Sequence, residues 1–328
     1  MRVSVVVPTL NEEEDLPILL ESLKKQSFQD FEVIVADAGS KDNTVKLAKK
    51  YGARVVPGGM PGPGRNRGAE VANGEFLFFF DADVSLPPDF LEKALKELDH
   101  RFLDLATCEF HPSSNLKLDD IMFRFANLSV KMNQDLNPRA AGFCIFITRR
   151  LFNRVGGFDE SLKLAEDHDL VQRASKFRPL RVLESTHLNV SVRRLEKEGR
   201  FSLIQKYFRV EMHLLFKGNV KEDIVEYEFG DFSKTGEANT KWLDDLEKKI
   251  IQMEKAYNRL TAPKDDTDGA SGKPSKEKND LLERWKAGLE TLVDAITKSP
   301  DQSEKSHQEK MAKAAKGNEK KSGKSKGK

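Results

Sequence analysis

The sequence predicts an α/β fold in which a mostly parallel sheet carries helices on both faces, followed by an α-helical C-terminal extension. Short apolar runs rich in β-branched and aromatic residues recur at Val3–Val7, Phe31–Ala36, Arg54–Val56 and Phe76–Phe80. A helical pattern or a turn cluster separates each run from the next, which is the rhythm of strand, helix, strand. Runs that are apolar at nearly every position, such as Phe76–Phe80, fit strands covered on both sides.

The elements follow in order. The stretch Met1–Pro8 is too short for a signal peptide and reads as a first strand. From Asp15 to Lys25, Leu16, Leu19, Leu20 and Leu23 fall on one helical face, with Pro17 tolerable in the first turn. Further helices are expected near 43–51, 66–73, 88–98, 116–134, 166–176 and 200–217. The composition shifts near Gly230, so residues 1–230 read as the catalytic domain and 231–300 as a helical extension. Within the extension, Leu243, Leu246, Ile250, Met253, Tyr257 and Leu260 step as a heptad seam, and Leu282 to Ile296 repeats the pattern. Residues 261–280, rich in Pro, Gly, Asp and Ser, read as a flexible linker. Residues 301–328 form a Lys-rich tail expected to be disordered.

Composition excludes several classes. The 328 residues carry 55 Lys and Arg against 53 Asp and Glu, a formal charge of +2, so no nucleic-acid partner is expected. No apolar run approaches the ~18–20 residues that span a bilayer. Cys108 and Cys144 make neither a disulfide framework nor a four-ligand metal site. A cytoplasmic protein is expected, with peripheral contact at the inner face of the membrane left open. That contact would use Ile121–Met132, Phe201–Phe216 and the basic tail; simple packing of these helices on the sheet is the competing reading.

Candidate site residues cluster where open parallel sheets place ligands, beyond the strand ends. Pro8-Thr9-Leu10-Asn11-Glu12-Glu13 follows the first strand, and Asp37-Ala38-Gly39-Ser40-Lys41-Asp42 the second. Asp81-Ala82-Asp83 ends the Phe-rich strand, as a turn signal or as two hard oxygen ligands one residue apart that suit Mg²⁺ or Mn²⁺ shared with a diphosphate. Gly62–Gly68 reads as a Gly/Pro loop opening a helix, a natural anion site with Arg65 nearby, or else an ordinary loop with solvated arginines. Glu166-Asp167-His168-Asp169 opens a helix, as capping acids or as a source of a general base. Arg193 and Arg194 suit bidentate diphosphate recognition or an exposed charged turn, and His187 stays open between ligand and structural residue.

The segments Val3–Glu13, Val35–Thr44, Phe79–Val84 and Glu166–Arg173 resemble, in order and spacing, the motifs of the family 2 glycosyltransferases, over roughly residues 1–215. The resemblance implies the Rossmann-like GT-A fold, a nucleotide-diphosphate sugar donor, a divalent cation and inversion at the anomeric carbon. By position it makes Pro8, Thr9 and Glu13 part of the nucleotide-contacting first loop, and Asp37 the partner of the base. Arg65 falls in the stretch that holds a basic donor-binding residue. Asp81 and Asp83 match the D-x-D element, with Asp83 ahead of Asp81 as the direct metal ligand, and Asp167 matches the general base. The family's D-D-G-S pattern is here Asp37-Ala38-Gly39-Ser40. A glycan or lipid-linked acceptor (polysaccharide, glycolipid or polyprenyl phosphate) and self-association through 243–296 complete the expected partners. The rival classes are a nucleotidyltransferase, which should show a Gly-rich, Lys-containing loop after strand one, and a non-catalytic assembly protein built on the heptads.

Overall fold

The computed structural model describes residues 1–198 (apart from Leu136 and Lys163) and 241–261. The chain divides into two compact units, Met1–Arg200 and Phe201–Lys328. The first unit contains β1 (Val3–Thr9), α1 (Leu16–Lys24), β2 (Phe31–Asp37), α2 (Thr44–Lys50), β3 (Arg54–Pro57) and α3 (Pro61–Glu70). It continues through β4 (Phe76–Phe79), β5 (Val84–Ser85), α4 (Phe90–His100), β6 (Leu105–Pro112) and α5 (Lys117–Asn133). It closes with β7 (Ile145–Thr148), α6 (Arg149–Val155), α7 (Glu166–Ser175), β8 (Arg181–Val190) and α8 (Arg193–Glu198).

The strands form one sheet in the order β3-β2-β1-β4-β7-β6-β8-β5. It is parallel from β3 through β4; β7 then runs antiparallel between β4 and β6, and β5 antiparallel to β8. The sheet is therefore mixed, and β5 to β8 were not anticipated. β8 mixes polar and apolar residues and shows no buried-strand run, whereas β7 ends an apolar run, Phe143–Ile147, that the reading of the sequence passes over.

Strand side chains alternate faces, and each face has its own core. Val5, Phe78, Phe80 and Phe146 pack with Leu16, Leu20 and Phe90 of α1 and α4. Val6, Leu77, Phe79 and Ile145 pack with Phe152 of α6 and Leu170 of α7, together with Phe158. Phe78, Phe79 and Phe80 are all fully buried, each burial worth roughly 1.5–3 kcal/mol, so this strand is rigidly held where its end delivers Asp81.

The Gly/Pro stretch departs from expectation. It is the first part of helix α3, which starts at Pro61, where Pro suits a first turn. Its glycines answer to packing rather than to a turn: a Cβ on Gly68 would stand 2.3 Å from Val6 Cγ1, and one on Gly64 3.2 Å from Pro8 Cβ. The helix thereby lies hard against β1.

In the second unit, α9 (Lys241–Thr261) spans the first heptad seam, with Ile250 and Tyr257 buried. The expected helix at 200–217, the boundary near Gly230, the linker, the second heptad run and the Lys-rich tail lie outside the described residues. Among the described residues no helix is long and apolar enough to cross a membrane.

Candidate active site

The loops after β1 and β2 are stitched together. Asp37 accepts from the amides of Gly39 and Ser40 at 2.9 Å each, and Thr9 Oγ1 donates to it at 3.2 Å. Gly39 sits at φ +90°, the turn that curls this loop back onto Asp37. Glu13 accepts from Asn43, backbone at 3.0 Å and side chain at 2.8 Å, and so anchors the start of α2. Thr9, Glu13 and Asp37 thus share one rim, while Pro8 packs below it against α3.

Asp81 and Asp83 lie in the turn between β4 and β5 rather than on the strand itself. Burial, then the charges of Asp81, Glu12 and Asp15, raise the Asp83 carboxyl to about 7. Burial and Asp15 raise Glu12 as well, against the pull of Arg193. Negative charge is therefore in excess here. Arg193 reaches this cluster, paired with Glu14 and Asp15 and 3.9 Å from Glu12. Arg194 belongs to the same short helix, but its side chain lies outside the described residues.

Arg65 joins two of the motifs. It is 3% exposed, and its guanidinium donates to Asp81 Oδ1 at 2.7 Å and to Glu166 Oε1 at 2.9 Å. Burial opposes its charge, but Asp81, Asp167 and Glu166 outweigh that and hold it protonated. Burial and the neighbouring Asp167 push Glu166 up against the opposing pull of Arg65. Arg65 thus faces carboxylates from the helix interior, not a free helix start.

Asp167 is held from two sides. Gly142 N–H donates to Oδ2 at 2.8 Å and His168 N–H to Oδ1 at 2.8 Å. A Cβ on Gly142 would stand 2.5 Å from the guanidinium of Arg65, so only glycine leaves room for both groups. His187 stacks on His111 at 4.4 Å between ring centroids and joins none of these contacts.

Sequence reasoning missed Asp15 and Gly142 as site residues, and gave Glu12 no role of its own within the first loop. The acidic run Glu12–Asp15 was a visible signal for Asp15. Gly142 had none, because its role depends on two residues far away in sequence. Among the described residues no three of His, Cys, Asp and Glu converge to hold a metal ion. The donor set nonetheless fits a hard divalent ion: among the described residues Asp83 has no cationic partner and Asp81 has one oxygen free of Arg65, a pair that suits an ion sharing its shell with phosphates.

Residues 4–154 match the model of glycosyl transferase family 2. The poly(ribitol-phosphate) β-N-acetylglucosaminyltransferase TarS of Staphylococcus aureus is 30% identical over 185 residues, covering 53% of this chain and 32% of that protein. A PGL/p-HBAD biosynthesis glycosyltransferase of Mycobacterium tuberculosis is 30% identical over 179 residues, covering 51% of this chain and 66% of the relative. The chain spans about a third of the length of the first of these relatives. In fold it is similar to the mannosyltransferase PcManGT of Pyrobaculum calidifontis, solved with GDP-Man and Mn²⁺ (TM-score 0.51, 18% identity, 90% of this chain and 84% of that one). Staphylococcus aureus TarS 1-349 with UDP-GlcNAc gives TM-score 0.50 at 20% identity, again over 90% and 84% of the two chains.

Proposed function

The chain belongs to the family 2 glycosyltransferases through residues 4–154, and on that premise we propose that it transfers a sugar, with inversion, from a nucleoside-diphosphate sugar to an acceptor hydroxyl or phosphate. The acceptor class is a polysaccharide, a glycolipid or a polyprenyl phosphate. One observation carries this reading: buried Arg65 ties Asp81 to Glu166, and with them the two carboxylate motifs, around one place at the sheet's rim.

The acceptor oxygen bonds to sugar C1 while the bond from C1 to the diphosphate oxygen breaks, and the acceptor proton passes to Asp167. The two backbone N–H groups on Asp167 fix its orientation and leave lone pairs for that proton. Asp81 and Asp83 would hold Mg²⁺ or Mn²⁺, which supplies charge stabilisation to the leaving diphosphate. Thr9, Glu13 and Asp37 frame the nucleotide end of the donor. Arg65 acts through Asp81 and Glu166 rather than on the donor. Arg193, paired with Glu14 and Asp15, can reach a diphosphate only by leaving those carboxylates.

The test is release of nucleoside diphosphate from UDP-GlcNAc and GDP-mannose with Mn²⁺, wild type against Asp167→Asn. The variant should fold and bind donor yet lose about 10²–10⁴-fold in turnover. Near-normal turnover would remove Asp167 from the role of base.

A further inference from the structure

The end of the sheet opposite the catalytic rim has a surface of its own. β4 and β6 begin there and β7 ends there, since Phe76 pairs with Thr148 and Leu105 with Ile147. The seven residues of β1 put this end roughly 23 Å from the rim at ~3.3 Å each. A hollow of about 360 Å³ opens there among Asp104, Arg150, Arg154, Lys176, Phe177 and Arg178. Four of these side chains are cationic and one is acidic. The acid is already satisfied: Asp104 accepts from Thr148 at 2.9 Å, Arg178 at 2.7 Å and Arg150 at 3.2 Å. The carboxylate therefore fixes two guanidiniums in place without cancelling the surplus charge, while Arg150 stays 78% exposed and Arg178 56%.

Two aromatic rings accompany the cations. Phe177 is exposed, with the Arg154 guanidinium 4.2 Å above its ring. Phe102, two residues before Asp104, is 91% exposed and sits at φ +51°. The end of α4 explains that angle. Phe102 N–H donates to Asp99 and Leu103 N–H to Leu98, the cap in which the residue after the helix is left-handed and is ordinarily Gly or Asn. Phenylalanine there strains the backbone and exposes a ring to water, and none of the described residues covers that ring.

We propose that this end docks on an anionic phospholipid surface, the guanidiniums and the Lys176 ammonium taking headgroup phosphates and the Phe102 ring entering at headgroup depth. Exposed aromatics beside long cationic side chains match the layered chemistry of that interface. An aqueous polyanion would use the charges and leave the Phe102 ring idle. Docked this way, the catalytic rim opens away from the bilayer, which among the acceptor classes suits a polysaccharide rather than a lipid-linked one. The proposal rests on none of the catalytic assignments.

The test is co-sedimentation of the full chain with phosphatidylcholine vesicles, alone or carrying phosphatidylglycerol, alongside melting curves. The wild type should sediment only with the anionic vesicles, and less as salt rises. Each cation removed should lower the partition coefficient about fivefold, so Arg150→Ser with Lys176→Ser should cost about 25-fold. Phe102→Asn should also weaken sedimentation while raising Tm by about 2 °C, because Asn tolerates the left-handed cap. Failure to sediment, equal binding to both vesicle types, or variants that sediment like the wild type would overturn the proposal; the last would assign lipid binding to other residues. A Tm lowered by Phe102→Asn would remove its premise. Variant-sensitive binding to inorganic polyphosphate without vesicle binding would make this a site for soluble phosphates instead.

Discussion

Replacing Asp83 with Asn should stabilise the metal-free protein while abolishing its use of a cation. Burial, Asp81, Glu12 and Asp15 lift Asp83 from 3.8 to about 7. At about 1.4 kcal/mol per tenfold, ionising it in the folded state costs at most roughly 4 kcal/mol. Water penetration and relaxation bring this nearer to about 2 kcal/mol. The sign follows from which state holds the proton. Below 3.8 both folded and unfolded chains are protonated and the penalty is absent; it grows between 3.8 and 7 and is complete above 7. Asn carries no charge at any pH. In chelator near pH 8, Asp83→Asn should therefore melt about 4–8 °C above the wild type, and the gap should close towards pH 4. With Mn²⁺ and a nucleoside diphosphate, the wild type should gain stability and the variant should not. A variant that melts below the wild type near pH 8 in chelator, or a gap that ignores pH, would refute the reasoning.

Two further predictions concern positioning and pH. Gly142→Ala places a methyl 2.5 Å from the Arg65 guanidinium. It should cost about 1–3 kcal/mol in denaturant midpoints and about 10²-fold in turnover, by displacing Arg65 and the amide on Asp167. Burial raises Asp104, but bonds from Thr148, Arg178 and Arg150 outweigh it and hold the carboxyl below its ordinary 3.8. The stability advantage of wild type over Asp104→Asn should thus be full above pH 3.8 and fade in acid melts as pH falls through the folded value.

What was legible in the sequence follows from where each signal resides. Buried parallel strands write themselves as nearly continuous apolar runs, so Val3–Val7, broken only by Ser4, and Phe76–Phe80 point directly at the centre of the sheet. In the β6–β7–β8 half only β7 carries such a run, Phe143–Ile147, and the pairing of β6 with β8, residues up to about 80 positions apart, is a property of topology, not of local pattern. The glycines of α3 look like loop residues because their cause, contact with Val6 and Pro8 across the helix–sheet interface, is tertiary. The same divide runs through the site. Thr9, Asp37, Asp81, Asp83 and Asp167 announce themselves at strand ends and a helix start. That Arg65 turns inward to Asp81 and Glu166, and that Gly142 cradles both Arg65 and Asp167, emerges only once three distant segments are folded together.

The central claim is that a divalent cation on Asp81 and Asp83 couples the domain to the diphosphate of its donor. Calorimetric titration of UDP and GDP into the full chain, with Mn²⁺ and in chelator, tests it most directly. The account predicts binding of at least one nucleotide with Mn²⁺ that falls by an order of magnitude or more in chelator or in Asp83→Asn. Binding of equal affinity with and without the cation, or no binding of either nucleotide, would contradict it.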